Sequence, residues 1–181
     1  MKVTPTEIPE VLLLEPKVFP DDRGLVFESY NGKAFREATG VDVTFVQDNH
    51  SRSRRNVIRG LHYQARKPQG KLIRVVRGEI FDVAVDLRRS SATFGRWVGF
   101  NLSDKDGRMA WIPPGFAHGL LALSEQVDVI YKMTEYWEPS LDRTILWNDP
   151  RIGVRWPLEG EPVLSDKDRA GKRLEDAEVF A

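Results

Sequence analysis

One short stretch gathers the residue types needed to move a proton on an anionic molecule: Arg59-Gly60-Leu61-His62-Tyr63-Gln64, closed by Gly70-Lys71. The chain has only three histidines, and this one stands between two fixed cations. An imidazole with an ordinary pKa of about 6.5 accepts a proton near neutrality without large tuning. Arginine presents a fork that matches phosphate or carboxylate, whereas lysine is a compact charge suited to a developing oxyanion. Together they fit a base working on an anionic substrate. A hydrogen-bonded structural histidine among solvated strand cations, Arg59, Lys71, Arg74 and Arg77, fits the same pattern. Gly60 permits a bulge that turns Arg59 and His62 to one side despite their opposite strand parity.

The elements that must position these residues are mostly strands. An apolar run at Val11–Leu14 leads into turn chemistry at Phe19-Pro20-Asp21-Asp22-Arg23-Gly24, and a second strand is expected over Leu25–Tyr30. Asn31 is placed to cap a short helix through Phe35 that Gly40 ends. From Val43 onward, strands are expected at 43–49, 57–64, 72–76, 79–87, 97–102, 109–112, 119–123, 127–137 and 144–147. So many short strands at this spacing predict an antiparallel sandwich or barrel. In the strand over 79–87, Phe81, Val83, Val85 and Leu87 share an apolar face; Ile80, Asp82, Ala84 and Asp86 share the other, which reads as a carboxylate-bearing face. The charged segment after Pro162, Leu164-Ser165-Asp166-Lys167-Asp168-Arg169, reads as a short helical tail, solvated by default.

Composition narrows the class. The 181 residues are 41% hydrophobic and 30% charged, which suits one packed domain over residues 1–181. Twenty-seven basic residues balance 27 acidic ones, so no global field attracts nucleic acid or an anionic membrane. The absence of cysteine removes disulfides, thiolate metal sites and a cysteine nucleophile, and it fits a reducing cytoplasm. No apolar signal core and no run of membrane-spanning length is present, so a soluble, cytoplasmic protein is expected.

A second segment, Gly107-Arg108-Met109-Ala110-Trp111-Ile112-Pro113-Pro114-Gly115-Phe116-Ala117-His118-Gly119, resembles the second motif of the cupin superfamily. The resemblance implies a mainly β, antiparallel jelly-roll barrel with a few short helices. Metal-holding cupins add a His-x-His pair and a glutamate in their first motif, but here Tyr63 and Gln64 follow His62. Three histidine ligands would require His50, so metal-free chemistry is expected.

Read together, Phe19–Gly24, Phe27-Glu28, Phe45–Ser51, Val57–Gln64, Gln69–Lys71, Phe81–Asp86, Thr93–Gly95, Pro113–Gly119, Ile130–Lys132, Ile145–Pro150 and Leu164–Asp168 resemble the dTDP-4-dehydrorhamnose 3,5-epimerase family over nearly the whole chain. The resemblance implies an isomerase that inverts C3 and C5 of dTDP-4-dehydro-6-deoxy-D-glucose without a cofactor, giving dTDP-4-dehydro-L-rhamnose for dTDP-L-rhamnose synthesis. It implies His62 as base in a dyad with Asp168, Lys71 as enolate stabiliser and Tyr131 as the acid on the opposite ring face. Substrate binding carries over to Arg23, Phe27, Glu28, Gln47, Asn49, Arg59, His118 and Lys167, with Trp137 to stack on thymine. Two positions depart from the family: Trp137 stands where tyrosine is common, and Asp142 where glutamate is common near the nucleotide. Asp82 is an alternative partner for His62. The family is also dimeric, so a homodimer is expected in which N-terminal strands join the partner's sheet and Arg23 to Glu28 reach the nucleotide.

Rival readings share these residues. A 3- or 5-monoepimerase or a 3,4-ketoisomerase of dTDP-4-keto-6-deoxy sugars would use the same dyad. A non-catalytic sugar-nucleotide-binding cupin would need only the cavity.

Overall fold

The computed structural model describes Met1–Ala181. It contains thirteen strands: β1 Lys2–Pro5, β2 Leu12–Glu15, β3 Val18–Asp21, β4 Gly24–Phe27, β5 Gln47–Arg54, β6 Ile58–Gln64, β7 Lys71–Arg77, β8 Glu79–Asp86, β9 Trp97–Ser103, β10 Met109–Ile112, β11 Phe116–Ala122, β12 Gln126–Met133 and β13 Asp142–Thr144. Helices are limited to α1, Gly32–Thr39, and α2, Asp166–Arg169, with a 3-10 turn at Leu174–Asp176. No helix is long and apolar enough to cross a membrane.

Two antiparallel sheets carry the fold, one in the order β1-β2-β10-β7-β12-β5 and the other in the order β13-β6-β11-β8-β9. Between them lies the largest core cluster. Ile73, Val75, Ile112 and Val129 come from the six-stranded sheet; Ile80, Ala84, Phe116 and Leu120 come from the five-stranded one. This two-sheet, mainly antiparallel arrangement is that of a jelly roll. The outer face of the five-stranded sheet is covered as well, by Ile152, Leu174 and Ala177 of the C-terminal segment packed on Leu61, Val83 and Val85. On the outer face of the six-stranded sheet, Phe35 of α1 packs against Leu14, Leu72, Met109 and Trp111.

Burial on both sides corrects the expectation for β8. The face of Ile80 and Ala84 does carry Asp82 and Asp86, but it is also a core face, the inner one between the sheets, and both carboxylates are fully buried there. Asp86 is held by Arg88, Ser91 and Thr93; burial pushes its pKa up, but those hydrogen bonds outweigh it and bring the group down to about 2. The solvated tail is corrected too, since Asp168, Leu174 and Ala177 are all buried. Backbone hydrogen bonds from Lys172 to Thr144 and from Phe180 to Leu87 stitch the segment to the sheet edge.

Local signals hold where they are strongest. Asn31 caps α1 by accepting from the Ala34 amide, and Gly40 ends it at φ 72°. Strand limits shift where pairing overrides propensity. The expected 43–49 strand begins at Gln47 and runs to Arg54 because β12 pairs along its whole length. The 127–137 strand stops at Met133, where its pairing with both β5 and β7 ends. β1, which composition did not signal, exists because it pairs with β2 from Lys2↔Glu15 to Pro5↔Leu12.

Candidate active site

A cavity of about 340 Å³ opens between the two sheets. The five-stranded sheet contributes Arg59 and His62 from β6 with His118 and Leu120 from β11; the six-stranded sheet contributes Gln47, Asn49 and Ser51 from β5, Lys71 from β7, and Tyr131 and Met133 from β12. Tyr63, Gln69, Trp137, Asp142 and Lys167 complete the lining. Gln47 and Asn49, two apart on β5, share one face by strand parity, and Ser51 continues it. Trp137 reaches the cavity from the loop beyond β12, and its backbone N–H donates to Gln47 Oε1 at 2.9 Å.

The expected bulge on β6 is present. Across the β6–β11 ladder His62 faces His118 and Arg59 faces Leu120, so three steps on β6 match two on β11. Arg59 and His62 therefore line the cavity together. Gly60 sits at φ 138°, and a Cβ there would stand 2.5 Å from Gly119 Cα, so the two backbones approach this closely only because the residue is glycine. Gly70 has a comparable role before Lys71: a Cβ there would lie 2.4 Å from the Trp111 ring. Its amide donates to Thr134 Oγ1 at 2.8 Å, fixing the start of β7.

His62 Nε2 donates to Asp168 Oδ1 at 2.5 Å. Asp168 is supplied by α2, more than a hundred residues along the chain, and is itself only 3% exposed. Ser165 caps α2 by accepting from the Asp168 amide at 3.1 Å, and its hydroxyl donates to Asp168 Oδ2 at 2.8 Å. Both carboxylate oxygens are thus engaged, which fixes the ring and leaves Nδ1 with its lone pair and no protein partner. Burial lowers the His62 pKa, against the hydrogen bond to Asp168, which raises it. Burial raises that of Asp168, but the bonds from His62 and Ser165 and the nearby charges outweigh it and hold the carboxyl below its ordinary range. A neutral imidazole beside an ionised carboxylate is the resulting state near neutrality.

Lys71 is buried, with Nζ donating to the His62 carbonyl at 3.3 Å. Burial pulls its pKa down to about 8, while the charges of Asp142 and Asp82 oppose the shift. Near neutrality it is still mostly an ammonium. At the cavity's edge Asp142 Oδ2 accepts from Trp137 Nε1 at 3.2 Å and from Lys167 Nζ, an ion pair that ties α2 to β13. The shorter aspartate is therefore engaged by the indole N–H, a donor placed by the tryptophan at position 137.

Other placements depart from expectation. Asp82 does not touch His62; its Oδ1 accepts from His118 Nε2 at 2.7 Å, because β8 pairs with β11 and not with β6. Arg23, Phe27 and Glu28 are absent from this cavity's lining. Arg23 pairs with Asp21, Glu28 accepts from Asn31, and the Phe27 ring lies under Arg74. His50 points out of the cavity wall and donates to Asp128 at 2.8 Å, so the three histidines do not converge. Ser51, Tyr63, Gln69, Leu120 and Met133 line the cavity without having been anticipated. Ser51 and Met133 continue the parity of Asn49 and Tyr131, a signal that was readable; Ser165 carried an N-cap signal but nothing that linked it to His62.

A histidine held by a carboxylate on one sheet, with a buried lysine and a tyrosine on the facing sheet, has the groups needed to move a proton, and comparison with known proteins gives the chain a family. The model of the dTDP-4-dehydrorhamnose 3,5-epimerase family matches residues 5–176. A dTDP-4-dehydrorhamnose 3,5-epimerase of Pseudomonas aeruginosa is 59% identical over 180 residues, covering 99% of each chain. One from Salmonella typhimurium is 56% identical over 178 residues, covering 98% of this chain and 97% of its own. The crystal structure of the Legionella pneumophila dTDP-6-deoxy-D-glucose-3,5-epimerase in complex with dTDP-4-keto-L-rhamnose superposes with a TM-score of 0.97 at 45% identity, covering 99% of this chain and 97% of that one. With a match that spans both sheets, the bulged β6 and the docked tail, the chain belongs to the dTDP-4-dehydrorhamnose 3,5-epimerase family.

Proposed function

We propose that this protein epimerises dTDP-4-dehydro-6-deoxy-D-glucose at C3 and C5, giving dTDP-4-dehydro-L-rhamnose for dTDP-L-rhamnose synthesis. The observation that carries the reading is that His62 and Tyr131 stand on facing sheets across one cavity, with Lys71 beside the histidine. The C4 ketone acidifies the C–H bonds on both sides of it, since the electron pair left behind delocalises into an enolate. His62 Nδ1 takes the proton from C3 or C5, and the Asp168 carboxylate stabilises the imidazolium that forms. The Lys71 ammonium faces the negative charge growing on O4. Tyr131 delivers a proton to the same carbon from the other face, inverting it, and exchange with solvent resets both groups.

Specificity for the nucleotide rests on the polar rim. Arg59 and Lys167 offer charge to the diphosphate; Gln47, Asn49 and His118 offer hydrogen bonds; Trp137, half exposed, offers a face on which thymine stacks. Arg23, Phe27 and Glu28 serve the same nucleotide from a second protomer. The hairpin β3–β4 that bears them forms its own two-stranded sheet and exposes Phe19, Leu25 and Val26, a patch that calls for a partner. The enzyme acts as a cytoplasmic homodimer on this reading; a monomeric mass by sedimentation would overturn the dimer.

The decisive experiment is a proton NMR time course of the 4-keto-6-deoxyglucose nucleotide with the protein in deuterated water. Deuterium entering at both C3 and C5 is expected. Label at a single carbon would replace the reading with a monoepimerase, and label at neither would remove catalysis.

A further inference from the structure

Inside the cavity stands a second histidine–carboxylate pair. His118 lies directly opposite His62 across the β6–β11 ladder, and its Nε2 bonds Asp82 at 2.7 Å. Asp82 is fully buried, and its other oxygen, Oδ2, has no hydrogen-bond partner in the protein. A buried carboxylate left half satisfied is costly, and such a group persists where its charge is used. Two neighbours use it. His118 lines the cavity and takes its orientation from the Asp82 bond. Lys71, buried on the facing sheet, feels the Asp82 charge.

We propose that Asp82 is a positioning residue for the epimerisation: it fixes His118 with the proton on Nε2 and Nδ1 turned to the cavity. Its buried charge also supports Lys71 as a cation. This rests on the function proposed above. Asp82 touches neither substrate nor reacting atoms; it acts through two groups that do. Because Nε2 is spent on Asp82, His118 Nδ1 presents an acceptor, the form that suits a hydroxyl on the bound sugar nucleotide rather than an anion. The Lys71 ammonium is pulled toward neutrality by burial and by the charge of Lys167 from α2, and toward the cation by Asp142 from β13 and Asp82 from β8. His62 from β6 also senses it, while His118 from β11 and Tyr131 from β12 share the cavity. Of the two carboxylates, Asp142 already carries the Lys167 ion pair, so Asp82 is the one whose charge is not spent on another cation.

The test has two arms. Nitrogen-15 NMR of the unmutated protein labelled at histidine reads the His118 tautomer directly, with His118→Asn used only to assign the signal. A neutral ring protonated at Nε2 is expected; one protonated at Nδ1 overturns the proposal whatever the catalytic activity turns out to be. The second arm is the pH profile of kcat for Asp82→Asn, which keeps the shape and removes the charge. The expected result is a loss of about 10-fold to 100-fold in kcat, smaller than deleting an oxyanion donor outright, with KM changed much less and the alkaline limb moved to lower pH. A profile superimposable on the wild type, with activity only scaled by the folded fraction, would assign Asp82 a purely structural role and sink the idea. Absence of epimerisation in the unmutated protein would remove the function proposed above while leaving the tautomer arm intact.

Discussion

His62 and His118 face each other on neighbouring strands, and each donates to a carboxylate, yet the two carboxylates arrive by different routes. Asp82 lies on β8, the strand paired with the one that carries His118; the register sets His118 opposite Ala84 and Asp82 opposite Leu120, so the two meet as diagonal neighbours on one face. Asp168 comes from a four-residue helix in the C-terminal segment, and Ser165 must both cap that helix and steady the carboxylate. The pair built within the sheet has an oxygen without a partner; the pair built by docking has every oxygen engaged. The difference teaches that rigidity comes free where strands pair but has to be assembled at a docked segment. On the proposed mechanism, it also separates a ring that cycles through protonation from one that holds a single tautomer.

The largest effect that would sharpen this contrast comes from His62→Ala. Solvent deuterium exchange should fall by about 10³-fold, within the range for losing a general base, while dTDP binding measured by calorimetry stays close to wild type. Undiminished exchange would refute the base. The same change at His118 should weaken substrate binding more than it slows exchange.

Next comes Lys71→Ala, expected to lower kcat by about 10² to 10³, as for an oxyanion donor. With the Lys71 pKa brought to about 8, an activity that needs the ammonium falls as pH rises through that value. Lys71→Arg should retain charge at high pH and carry the alkaline limb upward; a limb that stays in place would assign it to another group. On the acid side, burial lowers the His62 pKa below 6.5, so kcat/KM should hold until the pH falls below about 6.5 and then decline as the base is protonated.

Ser165→Ala strikes the assembled dyad indirectly. It removes an N-cap and a donor to Asp168, and should cost about 1 kcal/mol of stability in chemical denaturation and about tenfold in kcat with KM little changed. Ser165→Thr should restore much of both, and failure of that rescue would argue that the hydroxyl matters for packing alone. Smallest is Trp137→Phe, which keeps a stacking face and loses the bond to Asp142; a change in dTDP affinity of about 1 kcal/mol or less is expected. A larger loss would show that the Trp137–Asp142–Lys167 linkage organises the cavity's edge.

Much of the fold and part of the site were legible in the chain. Period-two alternation gave the strands and their cavity-facing sides, as with Gln47 and Asn49, because side chains on a strand must point to opposite faces. Asn31 and Gly40 marked α1 through local hydrogen bonding and an allowed positive φ. Gly60 announced the bulge that aligns Arg59 with His62. Asp168 was found only through family resemblance, since a charged residue near a chain end carries no local sign of burial. Asp82, an alternative partner for His62 in the sequence, bonds His118 instead, because strand order in a sheet is not written in strand pattern.

By itself, then, the sequence determined the classes of chemistry available: no thiol, one histidine between an arginine and a lysine, balanced charge, and strands enough for two sheets. Those depend on residue type and on neighbours a few positions away. Only the tertiary structure decided which carboxylate serves which imidazole, that Lys71 is buried and its pKa brought to about 8, and that Tyr131 faces His62 across the cavity. Each of these depends on strand order and on the docking of a distant segment, where burial and long-range contact set the energies.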